Sequence, residues 1–353
     1  MMQIFYILPF MVCLIWLANY LLKIRNSYPA QRIMAVFCLT CTLLYLCHYV
    51  YFINDCQRNY IFESIYTLCT LSVYPLYYIY ICQMTSGGTF RTRRLWLLLP
   101  AFICFVLKLF FFYSIELIYA VRIIGIIQVI LVLIYGTKRL RNYDSAVVNF
   151  YADTEGRELY SLERLLICVV IISVLSAICI YLGREVFASN GIYICIPSIL
   201  FSVMLFALFY DGWTIPDNCP AIAEMIKAKA SEIDDMSIDH IPENDLNAKL
   251  AWAIKQKKVF LDKNLQITDL AKMIGTNRTY LSRHINIEKQ MTFSEFINSC
   301  RIEYAQEQIR QMHDAYSISA LSDASGFSNE VTFYRNFKKF TGTTPERWLK
   351  SIR

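Results

Sequence analysis

The chain has 353 residues, 56% of them apolar and 18% charged, with a mean hydropathy of +0.39. Soluble globular proteins run about 45–50% apolar and about 25% charged, so this composition excludes a disordered chain, a fibrous repeat and a small disulfide scaffold, and argues against one soluble domain. The net charge of +6 is uneven: residues 1–213 carry 15 Lys/Arg and 10 Asp/Glu, residues 214–247 carry 2 and 8, and residues 248–353 carry 17 and 10. A hydrophobic front, an acidic connector and a basic tail follow one another. A basic domain behind such a front points to a polyanion, either nucleic acid or lipid headgroups.

A helix needs about 20 apolar residues to cross a bilayer. Seven stretches reach that length, at 3–22, 33–53, 60–84, 95–113, 117–135, 162–182 and 191–210. Pro9, Pro75, Pro100 and Pro197 fall inside or at the ends of these spans, where neighbouring helices satisfy the freed carbonyls. One set of connections holds Lys23, Arg25, Arg32, Arg91, Arg93, Arg94, Lys138, Arg139, Arg141, Arg157 and Arg164; the other holds only Arg58 and Arg184. The positive-inside rule then places the N-terminus outside and, after seven crossings, the tail in the cytoplasm, as for a multi-pass protein of the cell (inner) membrane. No basic residue precedes the first apolar run, so that run reads as a span and not as a cleaved signal peptide.

The outside connections, 54–59, 114–116 and 183–190, are too short for a folded binding domain. Of the 13 cysteines most lie inside spans, where Cys behaves as a small apolar residue. Cys38 and Cys41 form a CxxC within a span and read as packing residues; Cys56 lies in an outside loop. His48, Glu63, Lys108, Glu116 and Arg122 all fall toward the outer half of the bundle. Ionisable groups at that depth pair with one another, snorkel to the headgroups, or line a polar pocket open to a small ligand.

The connector, 214–247, carries Asp217, Glu224, Glu232, Asp234, Asp235, Asp239, Glu243 and Asp245, and prolines at 216, 220 and 242. Within it Ile222, Met225, Ile226 and Ile233 hold helical register, as in a short signalling or dimer-forming helix. If flexible, it spans on the order of 30 Å.

The tail, 248–353, contains a repeat. Ile267, Leu270 and Gly275 recur as Ile318, Leu321 and Gly326. In each unit a short helix ends at a glycine able to take the left-handed turn conformation, and a second amphipathic helix follows. Asn277 caps the first of these second helices, with Leu281 and Ile285 on its buried stripe; Asn329 caps the other, with Phe333, Phe337 and Phe340. This is the helix-turn-helix layout, whose second helix enters the major groove. A helix over 294–312, with Ile297, Cys300, Ile302, Ala305 and Ile309 inward, joins the units and extends about 28 Å, close to the roughly 34 Å of one DNA turn. Arg283 and Arg335 are the best direct-readout residues, because arginine meets a guanine edge with two donors. The four histidines, at 48, 240, 284 and 313, form no metal spacing, and no P-loop, GxSxG or dinucleotide fingerprint occurs. No enzyme activity and no cofactor are expected. His284, on a recognition helix, is expected to face phosphate or to be partly packed.

Four stretches make the tail specific: Asn264-Leu-Gln-Ile-Thr-Asp-Leu-Ala271, Gly275-Thr-Asn-Arg-Thr-Tyr-Leu-Ser-Arg283, Gly326-Phe-Ser-Asn-Glu-Val-Thr-Phe-Tyr-Arg-Asn-Phe-Lys338 and Gly342-Thr-Thr-Pro-Glu-Arg-Trp348. In this order they resemble the AraC/XylS family of transcription regulators. The apolar front, partly through Tyr74-Pro-Leu-Tyr-Tyr-Ile-Tyr80, resembles that family's membrane-anchored subgroup. The soluble sugar-binding front common in the family is absent, so its ligands do not carry over. The resemblance implies base-reading positions at Thr279, Ser282 and Arg283, with Arg278 on phosphate. In the second unit it implies Glu330, Val331, Tyr334 and Arg335, with Lys338 and Lys339 on the backbone. Glu330 departs from the uncharged polar residues common at its place.

The expected architecture is therefore all-α: a seven-span transmembrane helix bundle (1–213), an acidic linker (214–247) and a cytoplasmic all-helical DNA-binding domain with two helix-turn-helix units (248–353). The expected partners are double-stranded promoter DNA, the lipid bilayer, an unknown small ligand or membrane partner, and a second copy in a homodimer. The leading function is a membrane-embedded one-component transcription regulator. The alternatives are a transporter or membrane enzyme with a regulatory DNA-binding tail, and a bundle that only anchors the regulator.

Overall fold

Among the residues that the computed structural model describes, namely 2–53, 59–86, 90–111, 114–182, 191–214, 219–234, 243–311 and 317–352, every regular element is a helix. Cys56, Arg58, Arg184, Asp217, Asp235, Asp239, His240 and His313 lie outside these residues. The chain divides into two units. One comprises Met1–Asn142 and Leu159–Ala223, the other Tyr143–Glu158 and Glu224–Arg353.

The first unit holds α1 (Met2–Lys23), α2 (Pro29–Ile53), α3 (Tyr60–Ser86), α4 (Leu99–Phe110), most of α5 (Ile115–Val148), α6 (Tyr160–Leu182) and α7 (Gly191–Thr214). Helix α1 packs on α2 and α7, α2 on α3, and α3 on α4. Their inner faces are aromatic: Trp16 meets Phe206 edge-on at 5.5 Å, Tyr20 meets Trp213 at 5.5 Å, and Phe37 lies 5.8 Å from Tyr77. The Tyr20 hydroxyl donates to the Phe209 carbonyl at 2.9 Å, which satisfies the polar end of a buried ring. Hydroxyls inside the helices turn back on their own backbone, as Thr42 does to Cys38 and Thr67 to Glu63. Cys38 and Cys41 are buried free thiols, and Cys38 donates to the Cys13 carbonyl at 3.4 Å. Ile123, Ile126, Ile130 and Ile134 on α5 are exposed, an apolar surface whose transfer from water to hydrocarbon is favourable.

Six of these helices are long and apolar enough to cross a membrane. The fourth expected span is not one α-helix. Residues Thr92–Leu98 form a 3-10 segment, and α4 then runs for 12 residues with Pro100 in its first turn. The missing N–H of a proline costs nothing at that position, and its ring disfavours α-helix just before it. Hydropathy registers 95–113 as one apolar run and does not see that change of winding. Helix α5 continues past the expected end at residue 135 to Val148.

The connector carries α8 (Cys219–Asp234), which contains the periodic stretch 221–233. The second unit then holds α9 (Glu243–Lys255), α10 (Ile267–Ile274), α11 (Arg278–Glu288), α12 (Phe293–Gln311), α13 (Ile318–Ala324), α14 (Glu330–Thr341) and α15 (Pro345–Ile352). Helix α12 opens on a capping box. Thr292 and Glu295 exchange bonds, with the Thr292 amide 2.9 Å from the carboxylate and the Glu295 amide 3.3 Å from the hydroxyl. Ile297, Cys300, Ile302, Ala305 and Ile309 of α12 are buried. Ile302, Ala305 and Ile309 join Leu321, Phe327, Phe333 and Phe337 in one core, with Phe340 and Trp348 packed against it.

Candidate nucleic-acid interface

Each helix-turn-helix unit is set by its turn and its cap. Helix α10 ends at Gly275, at φ +73°, and α11 begins after Asn277, whose side chain accepts from the Tyr280 amide at 2.7 Å. In the second unit Gly326 holds φ +81° and the Asn329 side chain accepts from the Thr332 amide at 2.8 Å. Capping by Asn satisfies one of the orphan amides at each helix start. Both recognition helices bury one face. Leu281, His284 and Ile285 lie inward on α11, and Thr332, Phe333 and Phe337 lie inward on α14. His284 is therefore packed, with Nε2 3.0 Å from Asn247 Oδ1 of α9.

The opposite faces are open. On α11, Thr279 and Arg283 are exposed while Arg278 and Ser282 are half-buried; Asn286 donates to the Ser282 hydroxyl at 3.4 Å. On α14, Glu330, Arg335, Lys338 and Lys339 are exposed, and Val331 is 74% exposed. An apolar β-branched residue so exposed on a helix of this kind suits contact with a thymine methyl. Two of the α14 positions donate to carboxylates. The Tyr334 hydroxyl donates to Glu346, and Lys339 donates to Glu295 at 2.7 Å. The Lys339 bond, and then the Thr292 amide, hold the Glu295 carboxyl below its ordinary range.

The same unit includes residues the sequence reading passed over. The connection from α5 to α6 lies against the domain. The Ala152 amide donates to the Leu265 carbonyl at 3.0 Å and the Ile267 amide to the Phe150 carbonyl at 3.0 Å, around an antiparallel bridge between Tyr151 and Gln266. Ser294 of α12 donates to the Ala152 carbonyl at 2.9 Å. Arg301, 1% exposed, donates to the carbonyls of Phe260 and Asp262 at 2.6 and 2.8 Å. Burial pushes its guanidinium down to about 10, against the pull of Asp153 and Asp262. Asp153 accepts from Ser328, and Glu155 accepts from Asn329 and Thr332. The only local sequence signal is the Phe150-Tyr151-Ala152 trio, apolar in an otherwise polar connection and buried in the fold.

In the first unit, a narrow cleft is lined by Cys47, Val50, Tyr51, Asn59, Phe62, Glu63 and Tyr66. His48 meets Tyr66 edge-on at 5.0 Å. Lys108 is buried on α4, whereas Glu116 and Arg122 of α5 are exposed. The Ser114 hydroxyl donates to Glu116 at 2.9 Å, and the Arg122 guanidinium lies 5.9 Å from the Tyr119 ring. Glu63 and His48's partner Tyr66 thus share the cleft, while Lys108, Glu116 and Arg122 do not line it. Among the described residues no group of three or more His, Cys, Asp or Glu is placed to hold a metal ion.

Comparison with known proteins agrees with the geometry of the second unit. Residues 270–351 match the family described as "Helix-turn-helix domain". The chain is 25% identical over 134 residues to the Msm operon regulatory protein of Streptococcus mutans, covering 37% of this chain and 47% of that protein. It is 23% identical over 159 residues to the raffinose operon transcriptional regulatory protein RafR of Pediococcus pentosaceus, covering 44% and 49%. An uncharacterised HTH-type transcriptional regulator of Staphylococcus aureus is 29% identical over 85 residues, 24% of this chain and 11% of that one. The chain thus covers half or less of the length of these relatives. No solved structure matches it. The C-terminal region is an AraC-type helix-turn-helix domain, and it is preceded by apolar helices of membrane-spanning length.

Proposed function

We propose that the protein is a membrane-embedded one-component transcription regulator, in which α1–α7 form a bundle in the cell (inner) membrane and the cytoplasmic second unit binds promoter DNA. One observation carries the DNA half. Two asparagine-capped helices, each following a left-handed glycine turn, bury one face and present Thr279 and Arg283, or Val331 and Arg335, on the other. Helix α12, about 28 Å over its 19 residues, is long enough to hold them nearly one turn of duplex apart, and on this reading the two helices enter successive major grooves. Arg283 and Arg335 read guanine edges, Val331 meets a methyl group, and Arg278, Lys338 and Lys339 meet phosphates.

The membrane half rests on the six long apolar helices and the asymmetry of basic residues in their connections. The bundle senses a signal at its outer side, near the cleft of Glu63 and Tyr66, and in chain order α7 is followed by α8 and then by the DNA-binding unit. A ligand there acts by binding one bundle conformation better than another.

The test uses the full chain, expressed in bacteria and reconstituted in lipid nanodiscs. It is expected in the membrane fraction, and it is expected to bind a random-sequence duplex with affinity that falls steeply as salt rises. Folded protein without DNA binding at low salt overturns the regulator reading. Recovery in the soluble fraction overturns the membrane reading.

A further inference from the structure

The base-reading end of α14 is already occupied by anions from elsewhere in the chain. Ser328, Asn329 and Thr332 stand at the start of this helix, where the helix dipole favours negative charge, with Thr332 on its buried side. All three side chains donate to carboxylates of the α5–α6 connection. Ser328 donates to Asp153, Asn329 to Glu155, and Thr332 to Glu155 at 2.5 Å. Glu158, three residues on, feels the positive charge of Arg335. A carboxylate and a phosphodiester offer the same chemistry to such donors: an anionic oxygen accepting charge-assisted hydrogen bonds.

We propose that the α5–α6 connection is a built-in competitor for DNA, its Glu155 carboxylate taking donors at the start of α14 that a backbone phosphate takes in the complex, with Glu158 adding a second negative charge to the same connection. This rests on the reading that α14 enters the major groove. The connection is fixed to the domain one turn earlier in the chain. Its bonds to Leu265, Ile267 and Ser294, and the burial of Phe150, Tyr151 and Ala152, hold it whether or not DNA is bound. Beyond Ala152 the backbone hydrogen bonds to the domain stop, and contact with α14 is made by side chains. Glu155 is exposed, and the atoms it meets at the start of α14 are amide and hydroxyl donors. The crowding of Asp153, Glu155 and Glu158 also lowers the cost of letting go, because burial and mutual repulsion disfavour the charge of Glu158 where it stands. The connection is continuous with α5 at one end and α6 at the other. A shift of either helix therefore changes how these carboxylates sit on α14, which gives the bundle a route to the DNA-binding face that is separate from α7 and α8.

The experiment compares the full chain in nanodiscs with its E155Q/E158Q variant and with E307Q, which removes one charge from an exposed position on α12. The probe is a random-sequence 30-base-pair duplex, titrated at several salt concentrations. Glutamine keeps the shape of each side chain, and protease resistance of the domain checks folding. E155Q/E158Q is expected to bind about tenfold more tightly, with a salt dependence steeper by about one phosphate contact; E307Q is expected to stay within about twofold of the parent. Hydrogen exchange should show residues 153–158 losing protection when duplex is added while the Ala152 amide keeps it. Equal affinity of parent and double variant, or a gain no larger than that of E307Q, overturns the competition and leaves the regulator reading intact. Failure of every folded form to bind the duplex at low salt overturns that reading and the competition with it.

Discussion

A Cβ built on Gly326 would lie 2.8 Å from the carbonyl oxygen of Leu261, against the backbone of the segment entering the first helix-turn-helix unit. Gly275, the equivalent turn in that unit, has nothing within 4 Å of the same position. Both glycines sit at positive φ, so both resist replacement by alanine, but only one is also a close approach. Gly275→Ala is expected to cost about 1–2 kcal/mol, the left-handed strain alone. Gly326→Ala adds overpacking against a main chain that cannot rotate away, for a total of about 2–5 kcal/mol. Pulse proteolysis of the full chain in urea measures both. Equal losses would show that the Leu261 contact relaxes freely.

That difference marks where sequence reading stops. The repeat of Ile, Leu and Gly and the asparagine caps are local signals, because an Asn side chain bonds an amide only three residues away. The Phe stripe of α14 is visible through its helical period. The contacts of Glu155 are not local. Its partners Asn329 and Thr332 lie 174 and 177 residues away, and nothing in a short polar connection distinguishes a docked carboxylate from a solvated one. The span at 95–113 is an intermediate case: its apolarity was legible, but the switch from 3-10 to α winding around Pro100 was not.

The open faces of α11 and α14 separate two kinds of contact. Arg283→Ala and Arg335→Ala are each expected to lose about 1–3 kcal/mol at one base position of a duplex enriched from a random library, and to relax the preference there. Lys338→Ala should weaken all sequences alike and reduce the salt slope by about one. Binding to a panel of single-base variants distinguishes these outcomes. Uniform weakening by both arginine changes would place the reading face elsewhere.

Two glutamates give the second unit opposite responses to acid. The bond from Lys339 and the Thr292 amide hold Glu295 below the ordinary value of 4.5. Its contribution is complete above that value and is lost as pH falls through the lower folded value. Glu295→Ala is expected to cost about 1–2 kcal/mol near neutrality, from the broken capping box and ion pair, with the gap to the parent narrowing below pH 4.5. Glu158 is shifted up, chiefly by burial, so its charge costs stability above the raised value. Glu158→Gln should therefore stabilise the unit near neutrality, and the gain should fade as acid protonates the native glutamate. Denaturation midpoints between pH 7 and pH 4 test both, and a gap for Glu295→Ala that widens in acid would reverse its assigned sign.

The region from Thr92 to Phe110 decides the topology. Its 3-10 segment of seven residues extends about 14 Å at 2.0 Å per residue, and the 12 residues of α4 add about 18 Å. The sum is about 32 Å, of which about 6 Å carries Arg93 and Arg94 and lies at headgroup level; the apolar remainder, about 26 Å, comes close to a hydrocarbon core of about 30 Å, although α4 alone is too short to cross. Arg91, Arg93 and Arg94 at one end belong to the basic set of connections, while the short turn at 114–116 has no basic residue. Six crossings would put the two chain ends on one side, so a cytoplasmic DNA-binding unit would need a cytoplasmic N-terminus and would throw part of the basic set outside. Seven crossings keep both requirements. Alkaline phosphatase fused after Ser114 is therefore expected to be active, a fusion after Phe90 inactive, and green fluorescent protein fused after Arg353 fluorescent. An inactive Ser114 fusion, in protein that inserts and accumulates normally, would mean that this region turns back without crossing.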